Sequence, residues 1–523
     1  MVLPYHAWDA WAFGEWSRLI AEEPRRFFFP DLYALTYQRP FFYVLQGWLW
    51  ATFGFHEALG RMLALAFAIL CAWTTKSMAR SLDGGRGTWR WACLLPFAIP
   101  DFLTWCAAGT TDVPAAALLA ATGAILLGPV RPVPKALLVL VLSTSAALTK
   151  PTAIPSLVGL ACAAAVSWPG VASPRRRVLA GVVPILSSLG IAGAYFFWLA
   201  SRLGISVRSA IVGELDGYYA DLASRARWSA LYVPSWLGPA AGPILAVALL
   251  ALTISIAFRR PVHAARTAAA VALLALGWRF ATAGWGGPGS REFLVSIATL
   301  VLVAAAARGT AANRPVSAHA LFFLVWAAPP CFVWIAYLGY DARLLSPGWP
   351  PLLLLAWIAF EPAAARIAGT RERAFALAAG AVLAAASLRH VDGLDLASAR
   401  CVARSVIAAP LDTGALRECF APGFERERHA VASALSQAGR SSIISNDGRL
   451  RFFFPGQVAQ MYPATCGDLS GYGAFALLTD PGSRRYMAAK GIPADPSVWA
   501  ACRGPRASLV FQDPAVSVFT LSP

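Results

Sequence analysis

The chain of 523 residues is 58% hydrophobic and only 14% charged, with a mean hydropathy of +0.57. Soluble domains carry about 25% charged residues, so this composition excludes a water-soluble globular protein and puts most of the chain in lipid. The formal net charge of +17 would point to nucleic acid in a soluble protein, but the arginines sit mainly in short loops between apolar segments, as membrane orientation requires, and nucleic acid is excluded as a partner.

Taken in order, the chain opens without a basic n-region or a small-residue cleavage site near Met1, so no cleavable signal peptide is expected. Residues 1–38 are aromatic, mixed in charge and too polar to span. Within them, Tyr5-His6-Ala7-Trp8-Asp9-Ala10-Trp11 sets one carboxylate among aromatic rings. Asp9 suits a general base at the mouth of a membrane cavity, and it suits a helix start equally. Arg39, in Gln38-Arg39-Pro40-Phe41-Phe42-Tyr43, suits an interfacial anchor. Residues 40–55 are apolar but short, and read as a helix lying in the interface.

Apolar segments follow at 57–80, 91–108, 112–128, 135–149, 151–168, 178–200, 239–258, 266–283, 291–308, 318–338, 347–361 and 373–388. They predict a mainly α, polytopic transmembrane bundle of about twelve spans. Alternate loops differ in charge. One set holds Arg80, Arg86 and Arg90, then Arg131 and Lys135, Arg175 to Arg177, Arg259, Arg260 and Arg266, Arg308 and Arg314, and Arg366, Arg371 and Arg373. The other short loops hold only Lys150, Arg291 and Arg343. The basic set belongs in the cytoplasm, so the N-terminal stretch and the tail are expected outside it, in a multi-pass protein of the inner or plasma membrane.

The polar residues of interest gather on the outer face. Asp112 lies in Gly109-Thr110-Thr111-Asp112-Val113-Pro114, where it also makes a good helix cap ahead of a first-turn proline. Lys150 lies in Leu148-Thr149-Lys150-Pro151-Thr152, a tight turn between two spans, where an ammonium can snorkel to the interface or hold a phosphate. Arg343, in Tyr340-Asp341-Ala342-Arg343-Leu344-Leu345, can pair with Asp341 or hold a phosphate.

Residues 389–523 read as a separate small α/β domain outside the membrane, after a membrane domain at 1–388 whose first outer loop takes in 1–56. Strands are expected over Ser442–Asp447, running into a turn, and at Ala474–Leu478, and as a hairpin of 508–511 with 516–519, with helical patterns at 397–409 and 426–439. Five cysteines fall in apolar segments and four, Cys401, Cys419, Cys466 and Cys502, in the tail. An even number there suggests disulfides and an oxidising compartment, with the pairing open.

The chain has no Walker A, GxGxxG, HExxH or GxSxG motif, so nucleotide binding and serine hydrolysis have no support. The order of its motifs resembles the GT-C superfamily of polytopic glycosyltransferases. Within it, the likeness is to relatives of protein O-mannosyltransferases, lipid A aminoarabinose transferases and RgtA/B/C/D-like transferases. The resemblance rests on Asp9 in an aromatic first loop and on Gln38 to Tyr43 in the place of a Pro-Pro-Leu-Tyr-type segment. It rests also on Phe53-Gly54-Phe55-His56-Glu57-Ala58-Leu59-Gly60-Arg61, Thr111-Asp112-Val113-Pro114, Leu148-Thr149-Lys150-Pro151 and Ala342-Arg343-Leu344-Leu345-Ser346-Pro347. Members of the family carry a spanning helix ahead of the first-loop aspartate. Eight residues precede Asp9 here, so a start further upstream or a trimmed variant is expected.

By resemblance, Asp9 is the catalytic base and Asp112 a second acid that orients acceptor or base, while Lys150, Arg343 and Arg39 hold the donor phosphate. The implied partners are a polyprenyl-phosphate-linked sugar, an envelope glycan, lipid or protein acceptor, and membrane lipids. No cofactor is called for, with a divalent metal left open. The chemistry agrees: a polyprenyl phosphate leaves without a general acid if cations take its charge, and the acceptor hydroxyl needs one placed carboxylate. A lipid-linked glycan transporter or a non-catalytic envelope scaffold are the rival readings; the first calls for charges buried in mid-span or for repeated broken helices.

Overall fold

Alanine and leucine, both strong helix formers, fill most of the apolar segments, and those among the described residues are helical. The computed structural model describes residues 8–23, 40–55, 57–82, 88–98, 109–212, 318–338, 342–355, 424–479, 483–484, 487–488, 491–502, 506–513 and 516–522, with 102, 105–106, 357–358, 400–401, 404–405 and 419. The expected spans at 239–258, 266–283, 291–308 and 373–388 lie outside the described residues, as does most of the helical pattern at 397–409.

The helices are α1 (Trp8–Glu22), α2 (Pro40–Phe53), α3 (Glu57–Leu82), α4 (Asp112–Leu127), α5 (Pro132–Thr149), α6 (Ala153–Ser167), α7 (Pro174–Leu203), α8 (Ala318–Val333), α9 (Phe424–Ala438) and α10 (Arg449–Phe453). Three described helices are long and apolar enough to cross a membrane, over Leu59–Leu82, Pro132–Thr149 and Pro174–Leu203; α4, α6, α8 and Leu344–Leu355 are shorter apolar helices. The fold is therefore mainly helical with a small C-terminal sheet, and the count of about twelve spans stays an expectation from sequence. One expected span differs in kind: residues 91–98 of the stretch 91–108 belong to a 3-10 helix, Thr88–Ala98, that contains Pro96, while 102, 105 and 106 are α-helical. Proline lacks the N–H that an α-helix needs in its interior, which favours a shorter, tighter turn.

The chain divides into two compact units. One holds Met1–Leu63, Ala107–Thr110 and Val391–Pro523; the other holds Ala64–Cys106 and Thr111–His390. The unit that holds the tail also takes in the first 63 residues.

In the first unit the tail forms a sheet of β1 (Ile443–Ser445), β2 (Val458–Gln460), β3 (Ala474–Leu478), β4 (Arg506–Gln512) and β5 (Val516–Ser522), in the order β2-β1-β3-β5-β4. β1 runs parallel to β2 and β3, while β5 lies antiparallel to β3 and β4, with a bulge between Leu509 and Phe511. Side chains alternate across the strands. Ala474, Ala476, Val516 and Val518 join Phe424, Val431 and Ala434 of α9 on one face, and Phe475, Leu477, Phe519 and Leu521 join Leu469, Met487 and Trp499 on the other. Disulfides link Cys401 to Cys419 and Cys466 to Cys502. The expected strands and the hairpin are present; β2, only three residues long, was not foreseen.

In the second unit, small residues set how closely helices approach. A Cβ on Gly159 of α6 would lie 2.4 Å from the Trp326 carbonyl oxygen of α8, and one on Gly123 of α4 would lie 2.6 Å from the Trp326 ring. Trp326, fully buried, occupies the space that these two glycines leave. By contrast, Leu137 and Val141 on α5, with Leu186 and Phe197 on α7, are exposed, which is the surface that lipid tails would take.

Candidate active site

Helix α4 begins at Asp112, with Pro114 in its first turn, where a missing N–H costs no hydrogen bond. Asp112 does not cap the helix, and its neighbour Thr111 makes no side-chain cap bond either. The Asp112 carboxylate is instead bound to the ammonium of Lys150.

Lys150 ends α5. Its own N–H reaches the Ala146 carbonyl, and the Ala153 N–H reaches back to its carbonyl at 2.9 Å, closing the turn with Pro151 that starts α6. This tight turn holds Lys150 back from the surface: it is 8% exposed and Asp112 2%. Lys150 does not snorkel here, and its charge is met inside the unit.

Ser346 completes the group. It lies in the 3-10 turn Ala342–Gly348 and is fully buried. Its hydroxyl donates to Asp112 Oδ1 at 3.2 Å and accepts from Lys150 Nζ at 3.5 Å. A relay holds that turn in place. Trp326 Nε1 donates to Ser156 Oγ at 2.9 Å, and Ser156 Oγ donates to the Pro347 carbonyl at 2.8 Å. Asp112, Lys150 and Ser346, from three separate stretches of chain, are thus tied together, with Trp326 and Ser156 behind them. The sequence reading quoted Ser346 within a motif but gave it no role; its place beside Arg343 in that motif was the signal.

Taking two opposite charges out of water is costly, and a polar contact of this kind in a membrane region is most often kept for function. Engaged by the Lys150 ammonium, the Asp112 side chain is placed to orient that cation. Lys150 has three N–H donors, of which Asp112 and Ser346 take two among the described residues.

Asp9 falls in the first turn of α1, in the first unit. Arg343 lies on the 3-10 turn, three residues ahead of Ser346. Arg39 and Asp341 lie outside the described residues, so the expected Arg343–Asp341 pair does as well. Among the described residues, no group of three His, Cys, Asp or Glu is placed to hold a metal ion.

No family model and no curated protein matches the chain. Solved structures do. ArnT from Cupriavidus metallidurans bound to undecaprenyl phosphate superposes with a TM-score of 0.50 at 15% identity, covering 99% of this chain and 94% of that one. The apo state of the same protein gives 0.52 at 15% identity, covering 98% and 92%. The chain has the ArnT fold. At this identity the likeness concerns the fold.

Proposed function

We propose that the protein is an integral membrane glycosyltransferase that moves a sugar from a polyprenyl-phosphate donor to a cell-envelope acceptor on the outer face of the membrane. The observation that carries this reading is the buried group of Asp112, Lys150 and Ser346 in an ArnT-like fold. That neighbour binds undecaprenyl phosphate, which supports a polyprenyl-linked donor for this chain too.

The reaction forms a bond between the acceptor oxygen and the anomeric carbon, and breaks the bond from that carbon to the phosphate oxygen. The leaving phosphate keeps the bonding electron pair. Lys150, with Arg39 and Arg343, takes up its charge, so no general acid is needed. Asp112 holds the Lys150 ammonium in register while a phosphate oxygen uses the remaining N–H. Asp9 accepts the proton of the acceptor hydroxyl as the new bond forms. Attack opposite the leaving phosphate inverts the anomeric centre. With three cations in this role, transfer proceeds without a divalent metal.

Membranes carrying the protein, labelled undecaprenyl-phosphate-linked sugars and native envelope extract test the reading. Transfer is expected, to fall at least ~100-fold in Asp9→Asn, and to survive EDTA. Full activity in both Asp9→Asn and Lys150→Met would overturn the assignment, and no transfer by the native protein with any lipid-linked sugar would favour a transporter or a scaffold.

A further inference from the structure

The tail is joined to the first helix by a buried charged contact. Glu15 of α1 is 1% exposed and Arg451 of α10 3% exposed. Arg451 Nε donates to Glu15 Oε2 at 2.6 Å, and the Gly456 N–H donates to Glu15 Oε1 at 2.8 Å, so both carboxylate oxygens are held by the tail. One helical turn further, Leu19 lies against Gly456, where an added Cβ would stand 3.9 Å from its Cδ2. Helix α2 joins the same assembly: Ser17 Oγ donates to the Tyr43 carbonyl at 2.9 Å, and Trp50 is buried in the cluster of Phe424, Val431, Ile443, Leu450 and Val518.

A buried ion pair stabilises a fold poorly compared with apolar packing, but it fixes one rotation and one axial position of a helix. Asp9 lies six residues before Glu15 on the same helix, about 9 Å along its axis at 1.5 Å per residue. We infer that the tail is a positioning domain, which through Arg451 and Gly456 grips Glu15 and so sets where α1 carries Asp9. This rests on the reading of Asp9 as the base given above. Glu15 and Arg451 are positioning residues in it, and touch neither donor nor acceptor.

The test uses the full chain in proteoliposomes with a labelled undecaprenyl-phosphate-linked sugar and envelope extract, and reads kcat per folded molecule and KM for the donor. Asp9→Asn is expected to abolish transfer. Glu15→Gln and Arg451→Met are each expected to lower kcat roughly 10-fold or more, since displacements near 1 Å can cost up to ~100-fold, with donor KM held within about twofold. Arg451→Lys, which keeps the charge, is expected to fall between Arg451→Met and the native protein. A purely structural contact would lower the yield of folded protein and leave kcat per folded molecule unchanged. Native kcat in Glu15→Gln and Arg451→Met, with Asp9→Asn inactive, overturns the positioning role and leaves the base standing. Native activity in Asp9→Asn overturns the base and this inference with it. Should the neutral variants fail to fold, Glu15→Asp keeps the charge on a shorter arm; the same loss of kcat is expected, and a native kcat overturns the inference.

Discussion

Asp112 and Lys150, 38 residues apart in the chain, form an ion pair that is buried at the start of one apolar helix and the end of another, with the Ser346 hydroxyl bonded to both. Removing one charge strands the other. Asp112→Ala and Lys150→Met are each expected to destabilise the protein by about 3–5 kcal/mol, because the remaining ion stays buried without its partner. The double variant Asp112→Leu/Lys150→Met is expected to unfold at a higher temperature than either single one, while all three lose transfer. Thermal unfolding in detergent alongside the transfer assay checks this; a double variant less stable than both singles would contradict it.

The relay from Trp326 through Ser156 to the Pro347 carbonyl holds the turn that bears Ser346 and Arg343. Ser156→Ala removes both bonds and is expected to cost about 1–3 kcal/mol, since the buried indole N–H loses its acceptor. Gly159→Ala puts a methyl against the Trp326 backbone and is expected to cost a similar ~1–3 kcal/mol through overpacking. Both should reduce transfer more than Ser188→Ala, whose hydroxyl, among the described residues, donates to the Ile185 carbonyl of its own helix.

At the opposite end of α4, Lys135 closes the helix. Its ammonium donates to the Leu126 carbonyl at 2.9 Å and the Gly128 carbonyl at 2.8 Å, and lies 5.3 Å from the centre of the Trp168 ring. The Trp168 N–H donates to the same Leu126 carbonyl at 3.1 Å. Lys135→Met is expected to lose about 2–4 kcal/mol of stability, the worth of charge-assisted bonds to buried carbonyls, with kcat per folded molecule unchanged. Denaturation midpoints and transfer rates measured on one preparation separate the two effects.

In the tail, burial pushes the Glu427 carboxyl well above its ordinary value of 4.5; the facing Asp447 carboxylate and Asp513 add to the rise, and Arg449 opposes it. The folded state therefore binds this proton more tightly than the unfolded chain. The stability it contributes is fully present below the ordinary glutamate value of about 4.3, and is lost as pH rises through the folded value. Glu427→Gln stays neutral, so it is expected to gain stability relative to the native protein as pH rises from 5 to about 8. Melting temperatures over a pH series would show this, and parallel curves for the two proteins would refute it.

The Cys466–Cys502 bridge closes a stretch of 36 residues around β3. Cys466→Ser/Cys502→Ser is expected to cost about 2–5 kcal/mol. The bridge pins the layer that packs on Phe475 and Phe519, so protease sensitivity should rise first between Thr465 and Trp499.

Local signals carried far along this chain. Apolar runs of alanine and leucine are helices in any apolar setting, which made α3 to α8 readable from composition and length. Strands β1, β3 and the β4–β5 hairpin were visible through β-branched and aromatic residues bounded by turn formers. β2 was not, since three residues have no period of their own and become a strand only by pairing with β1. At Asp112 the sequence supported a helix cap and a site residue alike, and at Lys150 an anchor and a phosphate ligand alike.

What the sequence determined by itself is the class of the molecule: apolar helices, with a loop charge pattern from which an orientation is expected and a motif order that resembles GT-C transferases. These are properties of single segments in their solvent, and need no knowledge of neighbours. Only the tertiary structure decided the partners. Lys150 meets Asp112 where the start of α4, the end of α5 and the Ser346 turn come together; Glu15 meets Arg451 where α1 packs on the tail. Contacts across 38 and 436 residues depend on packing, and neither composition nor periodicity carries that information.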